Sequence, residues 1–225
     1  PRWNMVKFPH ADRTLNSQMK AVGEVMAIGR TFGEALQKGV CSLEDSRDGI
    51  FDDKAAALSP DELRSCLRVP TPDRLYAIPA ALDAGLAEEE ISDLSHIDPW
   101  FIHQIKHLCD LRASIQGNSL QAIDAEAMRE LKQAGMSDAL IGRSVSPIRT
   151  QMEVRWYRKG LGVLPVYSRV DTCAAEFPAK TPYLYSCYET ICESLPSNQQ
   201  KVMVLGSGPN RIGQGIEFDY CCTHA

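Results

Sequence analysis

The sequence predicts a mainly α fold that closes on one strand of an unfinished α/β sheet. Two observations predict it. Residues 43–165 carry repeated helix start and stop signals with no convincing strand among them. Residues 201–222 run from an apolar strand through a glycine-rich turn into a helix start, the order in which a doubly wound α/β domain opens. One strand cannot build such a sheet, so the chain is expected to be part of something larger. Its first residues, Pro1-Arg2-Trp3, show neither an initiator Met nor a signal-peptide pattern, which fits an internal segment of a cytosolic protein.

Taken in order, residues 1–17 read as loop. From Gln18 to about Val40 the pattern is helical, with Met19, Val22, Met26, Phe32 and Leu36 on roughly one face. Gly23 and Gly29 each cost about 1 kcal/mol inside a helix. Either packing or function holds them there, or the helix begins only after Gly23. Glu24 lies among apolar neighbours and needs a partner or water. Arg2, Arg13 and Lys20 read as surface ion-pair partners rather than phosphate ligands.

The helical zone follows. Ser59-Pro60-Asp61-Glu62 places Ser at the N-cap, Pro at N1 and Glu at N3. Thr71-Pro72-Asp73 repeats the device, and Gly85 ends that helix. Asp98-Pro99-Trp100 starts the next, with Phe101, Ile105, Leu108 and Leu111 on one face and Gly117 at its end. Asp124 opens a helix that reaches Gly135. Ser137 caps another, and Ser146-Pro147 starts the last, ending near Gly160.

Beyond it, Pro165–Val170 alternates and reads as extended. A Pro- and Tyr-rich stretch follows, whose Tyr183, Tyr185 and Tyr188 are expected to pack on a neighbour. Glu193–Gln200 reads as a polar linker. Lys201–Leu205 reads as a short buried strand, and Gly206, Gly208 and Gly213 as the turn after it. The third glycine of a Gly-x-Gly-x-x-Gly motif is replaced by Arg211, so on its own this turn is a weak dinucleotide signal. Glu217 falls in the first turn of the ensuing helix, where a carboxylate suits the positive end of the dipole.

Net charge is −5 with no basic stripe, which argues against a nucleic-acid surface, and no run of 18 apolar residues suggests a membrane span. The eight cysteines contain no C-x-x-C pair and read as buried free thiols. Neither Cys221, Cys222 and His224 nor His103 and His107 complete a metal set. No catalytic constellation is contained in the chain. On these residues alone it is a helical module between larger partners.

Three stretches carry a resemblance. Met19-Lys-Ala-Val-Gly-Glu-Val-Met-Ala-Ile-Gly-Arg-Thr31, Val170-Asp-Thr-Cys-Ala-Ala-Glu-Phe177 and Gly208-Pro-Asn-Arg-Ile-Gly-Gln-Gly-Ile-Glu-Phe-Asp-Tyr-Cys-Cys222 resemble the large chain of carbamoyl-phosphate synthase, in its order and spacing. Ile97-Asp-Pro-Trp-Phe101 is similar to that family's helical signature, and Gly213-Gln-Gly-Ile216 is similar to its prokaryotic branch. The resemblance implies three parts. Residues 1–42 are the tail of an ATP-grasp half that makes carboxyphosphate. Residues 43–193 are an all-helical oligomerisation domain with its return segment. Residues 194–225 open a Rossmann-like pre-ATP-grasp domain of the half that makes carbamoyl phosphate.

For the intact chain the family implies an ATP-dependent ligase of arginine and pyrimidine biosynthesis in the cytoplasm. It turns bicarbonate, ammonia and two ATP into carbamoyl phosphate, using Mg2+ (or Mn2+). Its partners are a small glutaminase subunit that supplies the ammonia from glutamine, the remaining ATP-grasp halves, and further copies of itself. Carbamate, unstable in water, travels inside the protein between the halves. The resemblance makes Glu24, Gly215 and Glu217 lining residues of that path. It places no catalytic or metal-binding residue in this segment, and no cofactor. Two other readings stand beside it: a purely structural helical adaptor, and a fragment of a nicotinamide-dependent Rossmann enzyme.

Overall fold

The computed structural model describes residues 1–3, 10–205, 210–211 and 217–225. Helices dominate it. They are α1 (Phe32–Cys41), α2 (Asp53–Ala56), α3 (Pro60–Arg68), α4 (Arg74–Asp83), α5 (Glu88–Ser95), α6 (Pro99–Ile115), α7 (Ala125–Gln133), α8 (Asp138–Ser144), α9 (Gln151–Gly160) and α10 (Glu217–His224). The strands are short: β1 (Arg2–Trp3), β2 (Ala21–Glu24), β3 (Val166–Arg169), β4 (Leu184–Cys187) and β5 (Asn210–Arg211). They make an antiparallel sheet in the order β1-β2-β5 and a separate antiparallel β3–β4 hairpin.

The chain divides into two compact units. The first comprises residues 1–27, 36–114 and 204–225. It holds the three-stranded sheet and packs Leu63 and Leu67 of α3, Ile78 of α4, Ile91 of α5 and Ile102, Ile105 and Leu108 of α6 in its interior, together with Ile50. The second comprises residues 28–35 and 115–203. Its interior is Met128 and Leu131 of α7, Met136, Leu140 and Ile141 around α8, Val154 of α9, Val163 and Cys187.

The caps explain why these helices start where they do. Ser59 and Glu62 close a reciprocal capping box with Pro60 at the first helical position. Asp124 Oδ1 accepts from the Ala127 N–H, and Ser137 Oγ from the Leu140 N–H. Asp98 Oδ1 accepts from the Trp100 N–H at the head of α6. Gly85, Gly117 and Gly135 take positive φ where their helices stop.

Several expectations are corrected. The Gln18–Val40 helix does not form as one element. Residues 21–24 are strand, and helix begins only at Phe32. The alternative of a helix beginning only after Gly23 is the one observed, and the chain at Gly29 passes so close to α1 that a Cβ there would lie 2.8 Å from the Ala35 nitrogen. Thr71 caps nothing: α4 begins at Arg74 after a turn, and Asp73 at its N-cap makes no side-chain cap bond. The last helix starts from a Thr150–Glu153 capping box and not from Ser146-Pro147. Helices α2 and α5 were not foreseen. Helix α5 opens on Ala87 with no capping side chain, so it carries no start signal beyond three glutamates in its first turn.

Residues 201–205 form no strand, and Val202, Met203 and Leu205 are all more than 80% exposed. Among the described residues no strand lies beside them, and β propensity is a preference for a paired, half-buried surface. Glu193 is not the start of a free linker: its N–H donates to Tyr167 O and its carboxylate accepts from the Arg169 N–H. All eight cysteines are free thiols, but only Cys109 and Cys187 are buried.

Candidate functional site

The three-stranded sheet brings two distant stretches together. In β2, Gly23 pairs with Arg2 on one side and Arg211 on the other, and Glu24 pairs with Asn210. The Val-Gly-Glu-Val stretch therefore lies against the strand that precedes Glu217, although more than 180 positions separate Glu24 from Asn210. Glu24 sits exposed at the end of β2. Glu217 is the first residue of α10, and its side chain lies outside the described part. Gly206, Gly208, Gly213 and Gly215 lie outside the described residues. The basic residues near the N-terminus do make surface bonds: Arg2 donates to Leu43 O, Arg13 pairs with Asp73 at 2.6 Å and Lys20 with Asp12 at 3.0 Å. The Thr14 N–H and Lys20 hold the Asp12 carboxyl down at about 2.

Just after β2 the chain is fastened by a device the sequence reading missed. Thr31 Oγ1 accepts from the Glu34 N–H at 3.1 Å, and Glu34 Oε2 accepts from the Arg30 N–H at 2.6 Å. This is a capping box shifted by one residue, and Thr31-Phe-Gly-Glu34 spells its T-x-x-E signature. Glu34 is only 1% exposed. One turn on, Gln37, fully buried, accepts the Ile50 N–H at 2.9 Å and so pins the loop before α2. That loop carries Arg47, whose guanidinium lies 4.0 Å from the Tyr76 ring centre.

In the second unit three charged side chains are buried together. Asp138 Oδ1 accepts from Lys132 Nζ and from Arg158 Nε, each at 2.9 Å, and Oδ2 also accepts from Arg158. Each cation has a further backbone acceptor: Lys132 donates to Met136 O and Arg158 to Val163 O. Buried charges persist when they are paired and hydrogen-bonded, and each of these three is. The ring of Tyr188 covers both cations, at 5.3 Å from Lys132 Nζ and 5.6 Å from the Arg158 guanidinium. Burial pushes the Tyr188 phenol up, and Arg158 offsets part of that. Gln133 Nε2 donates to Tyr188 O at 3.1 Å. Tyr188 thus packs within its own unit, while Tyr183 stands 68% exposed. Nothing in the sequence pattern marks Lys132, Asp138 and Arg158 as a set, since each occupies an ordinary helix position.

The Val170–Phe177 stretch forms a tight turn. Both Asp171 carboxylate oxygens accept backbone N–H groups, from Cys173 and Ala175, and they hold Ala174 and Ala175 at positive φ. The histidines are dispersed. His96 is the left-handed cap of α5, and His103 Nδ1 lies 3.2 Å from Glu88. Among the described residues no three His, Cys, Asp or Glu side chains converge as a metal site. Among them, too, no helix is long and apolar enough to cross a membrane.

The geometry defines a mainly helical segment in which strand β2, ahead of α1, and strand β5, after α9, share a sheet. Comparison with known proteins agrees. The family model described as "Carbamoyl-phosphate synthetase large chain, oligomerisation domain" matches residues 24–162, and "Carbamoyl phosphate synthase preATP-grasp domain" matches residues 198–225. Carbamoyl phosphate synthase large chain from Nostoc sp. is 50% identical over 226 residues, covering all of this chain and 20% of the relative. The large chain from Archaeoglobus fulgidus is 50% identical over 230 residues and 21% of its length. The arginine-specific, chloroplastic large chain of Arabidopsis thaliana is 50% identical over 226 residues and 19% of its length. The chain belongs to the carbamoyl-phosphate synthase large-chain family, and it spans about a fifth of the length of the relatives it matches.

Proposed function

We propose that this chain is the middle segment of a glutamine-dependent carbamoyl-phosphate synthase large chain, where it joins the two synthetic halves, supports self-association and walls part of the carbamate path. The observation that carries the reading is the pairing of β2 with β5, because residues 21–24 and 210–211, which this reading assigns to the two halves, share a sheet. Half identity to named large chains across the whole sequence supports it. Residues 1–42 are the tail of the carboxyphosphate-forming half, 43–193 the oligomerisation domain with its return segment, and 194–225 the start of the second half.

In this reading Glu24, Gly215 and Glu217 line the path. Carboxylates give a passing carbamate or carbamic acid hydrogen bonds without a tight site, and a glycine leaves bore. ATP and Mg2+ (or Mn2+) belong to the ATP-grasp parts of the parent chain. The small glutaminase subunit supplies ammonia, the parent works in the cytoplasm, and its product feeds arginine and pyrimidine synthesis.

The test uses the full-length parent chain with its small subunit. Bicarbonate-dependent ATP hydrolysis and carbamoyl phosphate formation are assayed with ammonia and then with glutamine. Both activities, with glutamine replacing ammonia only when the small subunit is present, are expected. Absence of carbamoyl phosphate under all these conditions contradicts the assignment. Sedimentation of the same protein over a range of concentrations reads self-association directly.

A further inference from the structure

The β3–β4 hairpin is anchored far more heavily than a linker requires. Its strands pair from Val166 with Cys187 to Arg169 with Leu184. Glu193 is folded back on β3 through two hydrogen bonds, to Tyr167 O at 2.7 Å and from the Arg169 N–H at 2.7 Å. Immediately after β4, Tyr188 lies over the buried Lys132–Asp138–Arg158 set, and Gln133 of α7 holds its carbonyl. Arg30, from the segment that follows β2, hydrogen-bonds Tyr185 and faces Glu189, which raises its pKa. Cys187, between these anchors, is 1% exposed.

Arg158 Nη1 reaches Val163 O, the last buried residue before the hairpin, and the Tyr188 ring, just after β4, lies over both cations of the set. A ring over two desolvated cations is a directional contact, and its loss leaves both cations facing water that can enter. We propose that Tyr188 is a positioning residue, a latch that fixes the return hairpin on α7–α9 and so sets the point from which the chain departs toward residues 198–225. The consequence for turnover rests on the function proposed above; the latch itself does not. Carbamate transfer then depends on Tyr188 although the side chain touches no reactant.

The experiment compares the full-length parent, Tyr188→Ala and Tyr188→Phe, each with the small subunit. Two quantities are read: the rate of maleimide labelling at Cys187, located by mass spectrometry, and ATP hydrolysed per carbamoyl phosphate formed. The alanine variant is expected to label Cys187 about tenfold faster, as a local opening of the hairpin would, and to raise the ATP ratio. The phenylalanine variant, which keeps the ring over both cations, is expected to match the parent on both. Cys109, buried in the other unit, reports unfolding. If it labels too, Gln133→Ala, which removes only the amide bond to Tyr188 O, decides in place of Tyr188→Ala and is expected to move both readouts the same way. Unchanged Cys187 labelling overturns the latch. Faster labelling with an unchanged ATP ratio overturns its role in turnover. A parent that makes no carbamoyl phosphate removes the function proposed above, while Cys187 labelling still decides the latch.

Discussion

Gly142 leaves no room for a side chain. Its carbonyl accepts the Arg149 N–H at 2.9 Å, and an added Cβ would stand 2.3 Å from Arg149 O and 3.4 Å from Val154 Cγ2. The close approach lets the turn after α8 fold back so that α9 packs on it. Gly142→Ala is expected to lower stability by about 1–3 kcal/mol, the usual cost of overpacking, read as a lower urea midpoint. Gly160→Ala, where nothing lies within 4 Å of the new Cβ, serves as the control and is expected to be close to neutral. Equal midpoints for the two variants would contradict the packing account. The sequence marked Gly160 as a helix end and gave no sign that Gly142 is the crowded position. Gly29 was different: its cost inside a predicted helix already signalled that something forced it, and the 2.8 Å approach to Ala35 is that reason.

At the scale of elements, polar capping is what the sequence made legible. Ser59, Asp98, Asp124 and Ser137 each do what their side chains allow, because a cap is a local bond whose partner lies two or three residues on. Elements whose reason is remote were missed or misplaced. Strand β2 exists because β1 and β5 flank it, and helical periodicity over 18–40 hid it. Lys201–Leu205 has strand composition but no strand beside it among the described residues, so composition misled. The capping boxes carry a pH signature. Bonds from Ser59 hold the Glu62 carboxyl below its ordinary 4.5, and bonds from Thr150 do the same for Glu153. A carboxyl with a lowered folded pKa stabilises above its ordinary value and loses that contribution as pH falls through the folded one. Helices α3 and α9 are therefore expected to fray below pH 4.5 before the interior of the bundle does, with Thr150→Ala costing about 1 kcal/mol at neutral pH and less in acid. Backbone hydrogen exchange across a pH series checks this. Protection of the first turns of α3 and α9 that stays constant below pH 4.5 would contradict it.

For the whole molecule, the family was legible because three long motifs kept their order, and the comparisons bear that out over the full chain. What the motifs could not give is which residues meet. The glycine-rich stretch read as the turn after a strand at 201–205, the opening of a larger sheet, yet residues 210–211 pair as β5 with β2, so that residues 21–24 and 210–211 form one surface. The buried Lys132–Asp138–Arg158 set was equally invisible, since charged helix residues ordinarily face solvent and only the fold turns these three inward. In the function proposed above, the helical domain holds two catalytic parts at a fixed spacing. The central claim is that the shared surface borders the route by which carbamate passes between those parts. The most direct measurement is the number of ATP molecules hydrolysed per carbamoyl phosphate in the full-length enzyme carrying Glu24→Ala or Glu217→Ala. The account predicts that the ratio rises in both variants while bicarbonate-dependent ATP hydrolysis persists, and a ratio equal to the parent's in both would contradict it.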